Sequence, residues 1–305
     1  AEKEQKEAER ERGRATPAKD AKTIRKYVIT KDADKRRPEG NLPCVEKEFT
    51  ISTGIETEPQ VKLTCIVPVD GAGQPTEGAR DVVFYSPYAG ARNALAKRPE
   101  LRRYANALGM TIFTIEITTD TKYLNDSEKY YCFPVSGWHE VAVNAWKKVL
   151  EEFKLEKRKL LIMGDSVGGS YAQQIAARYP DEIDAVAFTG GRLFGEVRKN
   201  DISWLILSIW ECPGMENSRN LANEYRALGV NVLQSEGPPI YPGNPAQHLY
   251  HHAPSNITFE LMEDFLAGIR DLRKQHGGKV PPVAEWPVHE TMFGETRVFP
   301  STQTA

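Results

Sequence analysis

The pentapeptide Gly164-Asp165-Ser166-Val167-Gly168 sets a hydroxyl between glycines, directly after the apolar run Lys159 to Met163 and directly before a helical pattern. A serine on a tight turn between a strand and a helix is lifted clear of the backbone, and the helix N-terminus then points at the reacting centre. Glycines are required there because side chains would collide with the neighbouring strand or helix. A phosphate-cradling loop is also rich in glycine, but its G-x-x-x-x-G-K-[ST] pattern is missing. A serine hydroxyl is too weakly acidic to attack unaided and needs a general base within hydrogen-bond reach. Three of the six histidines, His248, His251 and His252, crowd into the stretch from Pro245 to Ser255. Metal binding is the other use of such a cluster, but nearby cysteines are missing and acidic partners are few. The chemistry these residues point to is nucleophilic attack by Ser166 with an imidazole as base, needing neither metal nor cofactor.

Those groups have to be brought together by an alternation of strands and helices. Pro43 to Ser52 and Gln60 to Pro68 read as two strands joined through a Gly-containing connection, an N-terminal β-hairpin. Asp81 to Ser86, Met110 to Ile115, Lys159 to Met163, Asp184 to Phe188, Ser203 to Ile209 and Val230 to Leu233 read as further strands. Most are short continuous apolar runs, the pattern of strands buried on both faces. Between them lie helical patterns. Pro99 to Leu108 is closed by Gly109, and Trp138 to Phe153 repeats Val141, Ala145, Val149 and Phe153 every four residues. A helix from the pentapeptide to about Tyr179, another from Asn217 to Leu228 and a last one from Phe259 to Arg273 complete the series. Alternation of this kind predicts an α/β fold with a mainly parallel central sheet and helices on both faces. Three segments follow: a charged lead-in over 1–38, the α/β domain over 39–276, and an extended tail over 277–305.

The chain has 305 residues, 27% of them charged and 40% hydrophobic, with a formal net charge of −2. That near balance argues against a dedicated nucleic-acid binder. No run of eighteen apolar residues occurs, so no membrane span is expected. Charge is unevenly placed: residues 1–37 hold 13 Lys/Arg against 8 Asp/Glu, which leaves −7 on the remainder. The opening stretch lacks any apolar face to bury and reads as a solvated lead-in.

Cys44, Cys65, Cys132 and Cys212 show no metal-ligand spacing. Pairing the two hairpin strands sets Cys44 close to opposite Cys65, within reach of a disulfide; four buried thiols is the other reading. A second disulfide between Cys132 and Cys212 would fix a loop at the reactive end of the sheet. The start at Ala1 fits a mature exported protein, periplasmic or secreted, and equally a trimmed chain. Tyr123, Tyr130, Tyr131, Phe133 and Trp138 either line a substrate cleft or form a packed cap. No long insertion separates Asp184 from Trp204, which favours an open cleft.

With these residues in place, the chain resembles an α/β-hydrolase over about residues 42 to 275. Ser86-Pro-Tyr-Ala-Gly90 resembles the S-P-G-aromatic loop of polyester hydrolases and related lipases, and Tyr250-His-His-Ala-Pro-Ser255 resembles their S-H-x-A-P-N segment. The second match implies His251 as catalytic base, with His252 as runner-up. The first implies an oxyanion hole made by the amide of Val167 and one from the Tyr88–Gly90 loop, that of Ala89. The family's acid, an Asp in a D-P step after the strand Ser203 to Ile209, is replaced here by Trp210-Glu-Cys-Pro-Gly-Met-Glu-Asn217. Glu211 is the adjacent carboxylate, Glu216 the alternative, and a dyad without an acid the third arrangement. The resemblance implies a serine esterase acting on small-molecule or polymer-borne esters. Thioesterase or peptidase chemistry would use the same triad, and a hydrolase-fold binding protein without turnover is the rival.

Overall fold

The structure is a computed structural model of the chain, and it describes residues 42–86, 100–117, 126, 128–190, 197–209, 214–237, 256–286, 288–290 and 296–298. Its strands are β1 (Cys44–Ser52), β2 (Gln60–Pro68), β3 (Val82–Ser86), β4 (Thr111–Ile115), β5 (Leu160–Asp165), β6 (Ile183–Thr189), β7 (Ser203–Ile209) and β8 (Val232–Gly237). They form one sheet in the order β1-β2-β4-β3-β5-β6-β7-β8. Only β2 runs against its neighbours; from β4 to β8 every pairing is parallel. The helices are α1 (Glu100–Leu108), α2 (Trp138–Glu152), α3 (Val167–Arg178), α4 (Gly214–Ala227) and α5 (Asn256–Gln275). The mainly parallel sheet, the hairpin and the order of elements are those expected from the sequence.

Continuous apolar runs form the strands because both faces are covered. Val82 and Phe84 of β3, Leu160 and Ile162 of β5, and Trp204 and Ile206 of β7 pack with α2, α3 and α4. Their alternates Val83, Tyr85, Leu161, Met163, Leu205 and Leu207 pack with α1 and α5 on the other face. The four-residue repeat of α2 is its buried stripe, Val141, Ala145 and Val149. Period-2 strands thus meet period-3.6 helices on each side.

The hairpin register corrects the cysteine reading. Cys44 lies opposite Pro68, and Cys65 lies opposite Lys47. The loop from Thr53 to Pro59 fixes this register, three positions away from the one a disulfide needs. An odd shift also sends the two side chains to opposite faces: Cys65 packs among the α2 and α3 residues, Cys44 against the α1 and α5 side. Both are free thiols, and burial pushes Cys65 up to about 12. This disulfide therefore gives no support to export. Cys132 is buried, and Cys212 lies outside the described residues.

An ionic cluster that no sequence pattern announces closes the N-terminal edge of the parallel strands. Asp81, just before β3, is fully buried. It accepts hydrogen bonds from Arg158, just before β5, at 2.9 Å and from Arg273, late in α5, at 2.5 Å. Arg273 also bonds Asp184 near the start of β6, and Arg158 reaches the exposed Glu77 at 2.5 Å. Three adjacent strands and a helix are thereby tied at one point. Beyond α5 the chain is also anchored: Asn231 donates to the Pro281 carbonyl at 3.1 Å and accepts from the Val283 amide at 3.1 Å. Trp286 is buried beside Phe265 with its indole N–H on that same Pro281 carbonyl. A short hairpin, β9 (Val288–Glu290) with β10 (Thr296–Val298), follows.

Removing one partner of a buried ion pair leaves the other charge uncompensated, at a cost of roughly 3–5 kcal/mol. Asp81→Asn is expected to lower the urea-unfolding free energy by about that amount, whereas Glu77→Ala, at the exposed end of the cluster, should cost under about 1 kcal/mol.

Candidate active site

One residue separates β5 from α3, and it is Ser166. Its φ of 53° and ψ of −125° lie where side chains are disfavoured, a conformation costing about 1–3 kcal/mol unless its surroundings enforce it. They do. The Ser166 amide donates to the Thr189 carbonyl of β6 at 2.8 Å, and its own carbonyl accepts from the Gly169 amide at 2.9 Å. A Cβ on Gly164 would stand 2.6 Å from the Gly168 oxygen and 2.7 Å from its carbonyl carbon. A Cβ on Gly169 would stand 2.9 Å from the Phe188 ring and 3.0 Å from the Gly190 oxygen. The first turn of α3 is pressed onto β5 and β6 through two missing side chains. The pentapeptide points to Gly168 as its second glycine, but the approach to β6 falls on Gly169; the doubled Gly168-Gly169 was the available signal.

On the other flank, Ser86 ends β3 directly beside Gly164. Its buried hydroxyl donates to the Gly168 carbonyl at 2.8 Å. The Tyr85 hydroxyl reaches Asp165 at 3.4 Å, a long contact to a carboxylate that is itself buried. Ser166 and Val167 remain partly exposed. Val167 is the first residue of α3, where backbone amides lack helical acceptors and carry the positive end of the helix dipole.

The structure brings together Ser166, Val167 and the frame that holds them. Ala89, with Tyr88 and Gly90, lies outside the described residues, as do Glu211, His248, His251 and His252. Their attachment points are described. The chain leaves β3 at Ser86, β7 at Ile209 and β8 at Gly237, and re-enters at α5 with Asn256. These strands are parallel to β5, so each departure is on the edge of the sheet that carries Ser166. Glu216 is exposed in the first turn of α4, where an acidic side chain complements a helix N-terminus.

The aromatic reading resolves towards packing. Tyr130, Tyr131 and Trp138 are buried in the core, and Tyr131 meets the Tyr171 ring edge-on at 5.2 Å. Phe133 is half-buried against them; Tyr123 lies outside the described residues. Burial, with the neighbouring Tyr130, Cys132 and Asp165, holds the Tyr131 phenol well above its ordinary range. It stays a neutral packing group. Among the described residues no cluster of His, Cys, Asp or Glu could hold a metal, and no helix is long and apolar enough to cross a membrane.

Known structures share this fold. An S-formylglutathione hydrolase from Staphylococcus aureus superposes with a TM-score of 0.54 at 12% identity, over 76% of this chain and 98% of that one. An arylesterase gives 0.56 at 12% identity, over 78% and 87%. A dienelactone hydrolase-like promiscuous phosphotriesterase from metagenomic libraries gives 0.55 at 15% identity, over 74% and 98%. The chain has the α/β-hydrolase fold. No protein-family model matches its sequence, and no curated protein matches it either. The α/β-hydrolase likeness thus lives in the backbone.

Two expectations follow. Gly164→Ala forces a Cβ against a backbone carbonyl and should destabilise by about 1–3 kcal/mol, with Gly169→Ala the milder of the pair in urea unfolding. His139, buried in the first turn of α2 beside the ring of Tyr179 that ends α3, has its pKa lowered by burial and by Arg178. Below about 6.5 the unfolded chain therefore binds the extra proton first, so stability falls as pH drops from that value to the folded pKa and is unaffected above it. His139→Phe should flatten that slope of unfolding free energy against pH.

Proposed function

We propose that the protein is a serine hydrolase that cleaves carboxylic esters through Ser166, His251 and Glu211 by way of an acyl-enzyme. The observation that carries this reading is the enforced left-handed backbone of Ser166 at the β5–α3 junction. A packed turn of no chemical use would relax by placing glycine there. The similar structures, a formylglutathione hydrolase and an arylesterase among them, support ester cleavage as the reaction class. Chain order supports the rest: the segment with a carboxylate two residues beyond β7, and the segment with a histidine cluster between β8 and α5, each start from a strand end on the side of Ser166.

In this reading His251 accepts the proton as Ser166 Oγ attacks the ester carbonyl carbon. The carbonyl oxygen becomes an alkoxide held by the amides of Val167 and Ala89. Collapse breaks the bond to the alcohol, which leaves with the proton returned by the imidazolium. Water, deprotonated by His251, then attacks the acyl-serine and releases the acid. Glu211 orients the imidazole and stabilises its charged form. The substrate is a small-molecule or polymer-borne ester, and the protein itself supplies every group required.

Hydrolysis of a chromogenic short-chain ester tests the assignment. Ser166→Ala should lower kcat by several orders of magnitude without changing the unfolding midpoint; retention of more than about a hundredth of the activity would contradict it. His251→Ala should be nearly as damaging and His252→Ala much less so; the reverse shifts the base by one residue. Glu211→Gln should lower kcat by roughly two to four orders of magnitude, with Glu216→Gln near neutral. If both glutamine variants stay active, Ser166 and His251 act as a dyad.

A further inference from the structure

We propose that Ser86 is a positioning residue for the oxyanion site, acting through the carbonyl of Gly168; the inference rests on the ester-hydrolase reading above. Ser86 is fully buried at the end of β3, in register with Gly164 of β5. Its hydroxyl donates to the Gly168 oxygen at 2.8 Å. A carbonyl oxygen has two acceptor sites, of which a helix uses one. The Ser86 hydroxyl takes the other. The same oxygen is the atom that a Cβ on Gly164 would strike. Ser86, Gly164 and Gly168 are therefore in mutual contact, and the first turn of α3 is fixed in two directions. The missing Cβ seats it on β5, and the hydroxyl draws it towards β3.

That bond braces the turn that carries one proposed oxyanion donor. Val167, whose amide is one donor, precedes Gly168 directly. An amide stabilises a developing alkoxide best when it lies at about 2.7–3.1 Å from it. The Ser86 tie at Gly168 acts one residue from the Val167 amide and holds it in place. Packing alone gives no reason for a hydroxyl at this place. The residues before it, Val82 to Tyr85, are buried and largely apolar, and a buried hydroxyl costs free energy unless it is hydrogen-bonded. The parallel contact on the opposite face, Tyr85 to Asp165, is longer at 3.4 Å and holds the turn less tightly.

Steady-state ester hydrolysis and affinity for a boronic acid that adds to the nucleophile test the inference. Ser86→Ala should fold, lower kcat about 10- to 100-fold and leave KM within about twofold, because the contact it supports forms only in the transition state. Boronate affinity, which depends on a tetrahedral anion at the same amides, should weaken by a similar factor. The midpoint of the kcat–pH profile should stay in place, since the base is untouched. Ser86→Thr keeps the hydroxyl and should recover activity to within about threefold of the original, given the shared donor. Ser203→Ala removes another fully buried strand hydroxyl, at the start of β7, and should leave both constants unchanged. Wild-type kcat in Ser86→Ala overturns the inference and leaves the ester-hydrolase reading standing. Equal losses in the alanine and threonine variants, or a rise in KM with kcat retained, also overturn it by making Ser86 a packing residue. An unsubstituted protein that neither hydrolyses esters nor binds boronate overturns the reading beneath it.

Discussion

Ser166 occupies a backbone conformation that it would abandon in a free peptide, and the centre of the sheet is arranged to prevent that. β5 lies between β3 and β6, so its end can be gripped from both sides. Thr189 of β6 takes the Ser166 amide, and Ser86 of β3 takes the carbonyl of Gly168. Gly164 and Gly169 let the helix come close enough for both grips to close. A strand at the edge of the sheet would offer only one of these flanks. The position of Ser166 in the strand order is thus matched to the strain it has to bear.

The two ends of the parallel strands are built for different work. At the N-terminal edge, Asp81, Arg158, Arg273 and Asp184 bind β3, β5, β6 and α5 into one charged knot. At the C-terminal edge the chain departs from β3, β7 and β8 into the segments that hold the residues proposed for oxyanion binding, acid and base. A frame that is fastened at one edge leaves the loops at the other free to vary in sequence.

What the sequence disclosed follows from how each feature is encoded. Strands such as Leu160–Asp165 and Ser203–Ile209 were legible because burial on both faces writes itself as an unbroken apolar run. The Ser166 turn was legible because glycines and serine sit at a strand–helix boundary. The hairpin register was not, since it depends on where the Thr53–Pro59 loop closes and not on which residues would profit from meeting. Cys44 and Cys65 therefore miss each other by three positions. The ionic knot was invisible because its partners are brought together across 77, 89 and 192 residues of chain. The role of Ser86 in the frame, like that of Gly169, depends on distances between neighbouring elements that no linear motif contains.

The central claim is that the hydroxyl held at this turn is a nucleophile. It is tested most directly by treating the folded protein with a fluorophosphonate and locating the adduct by mass spectrometry. The account predicts one phosphonyl group per chain, on the peptide containing Ser166, lost on prior unfolding. A folded protein that takes up no phosphonyl group, or carries it on another residue, would contradict it.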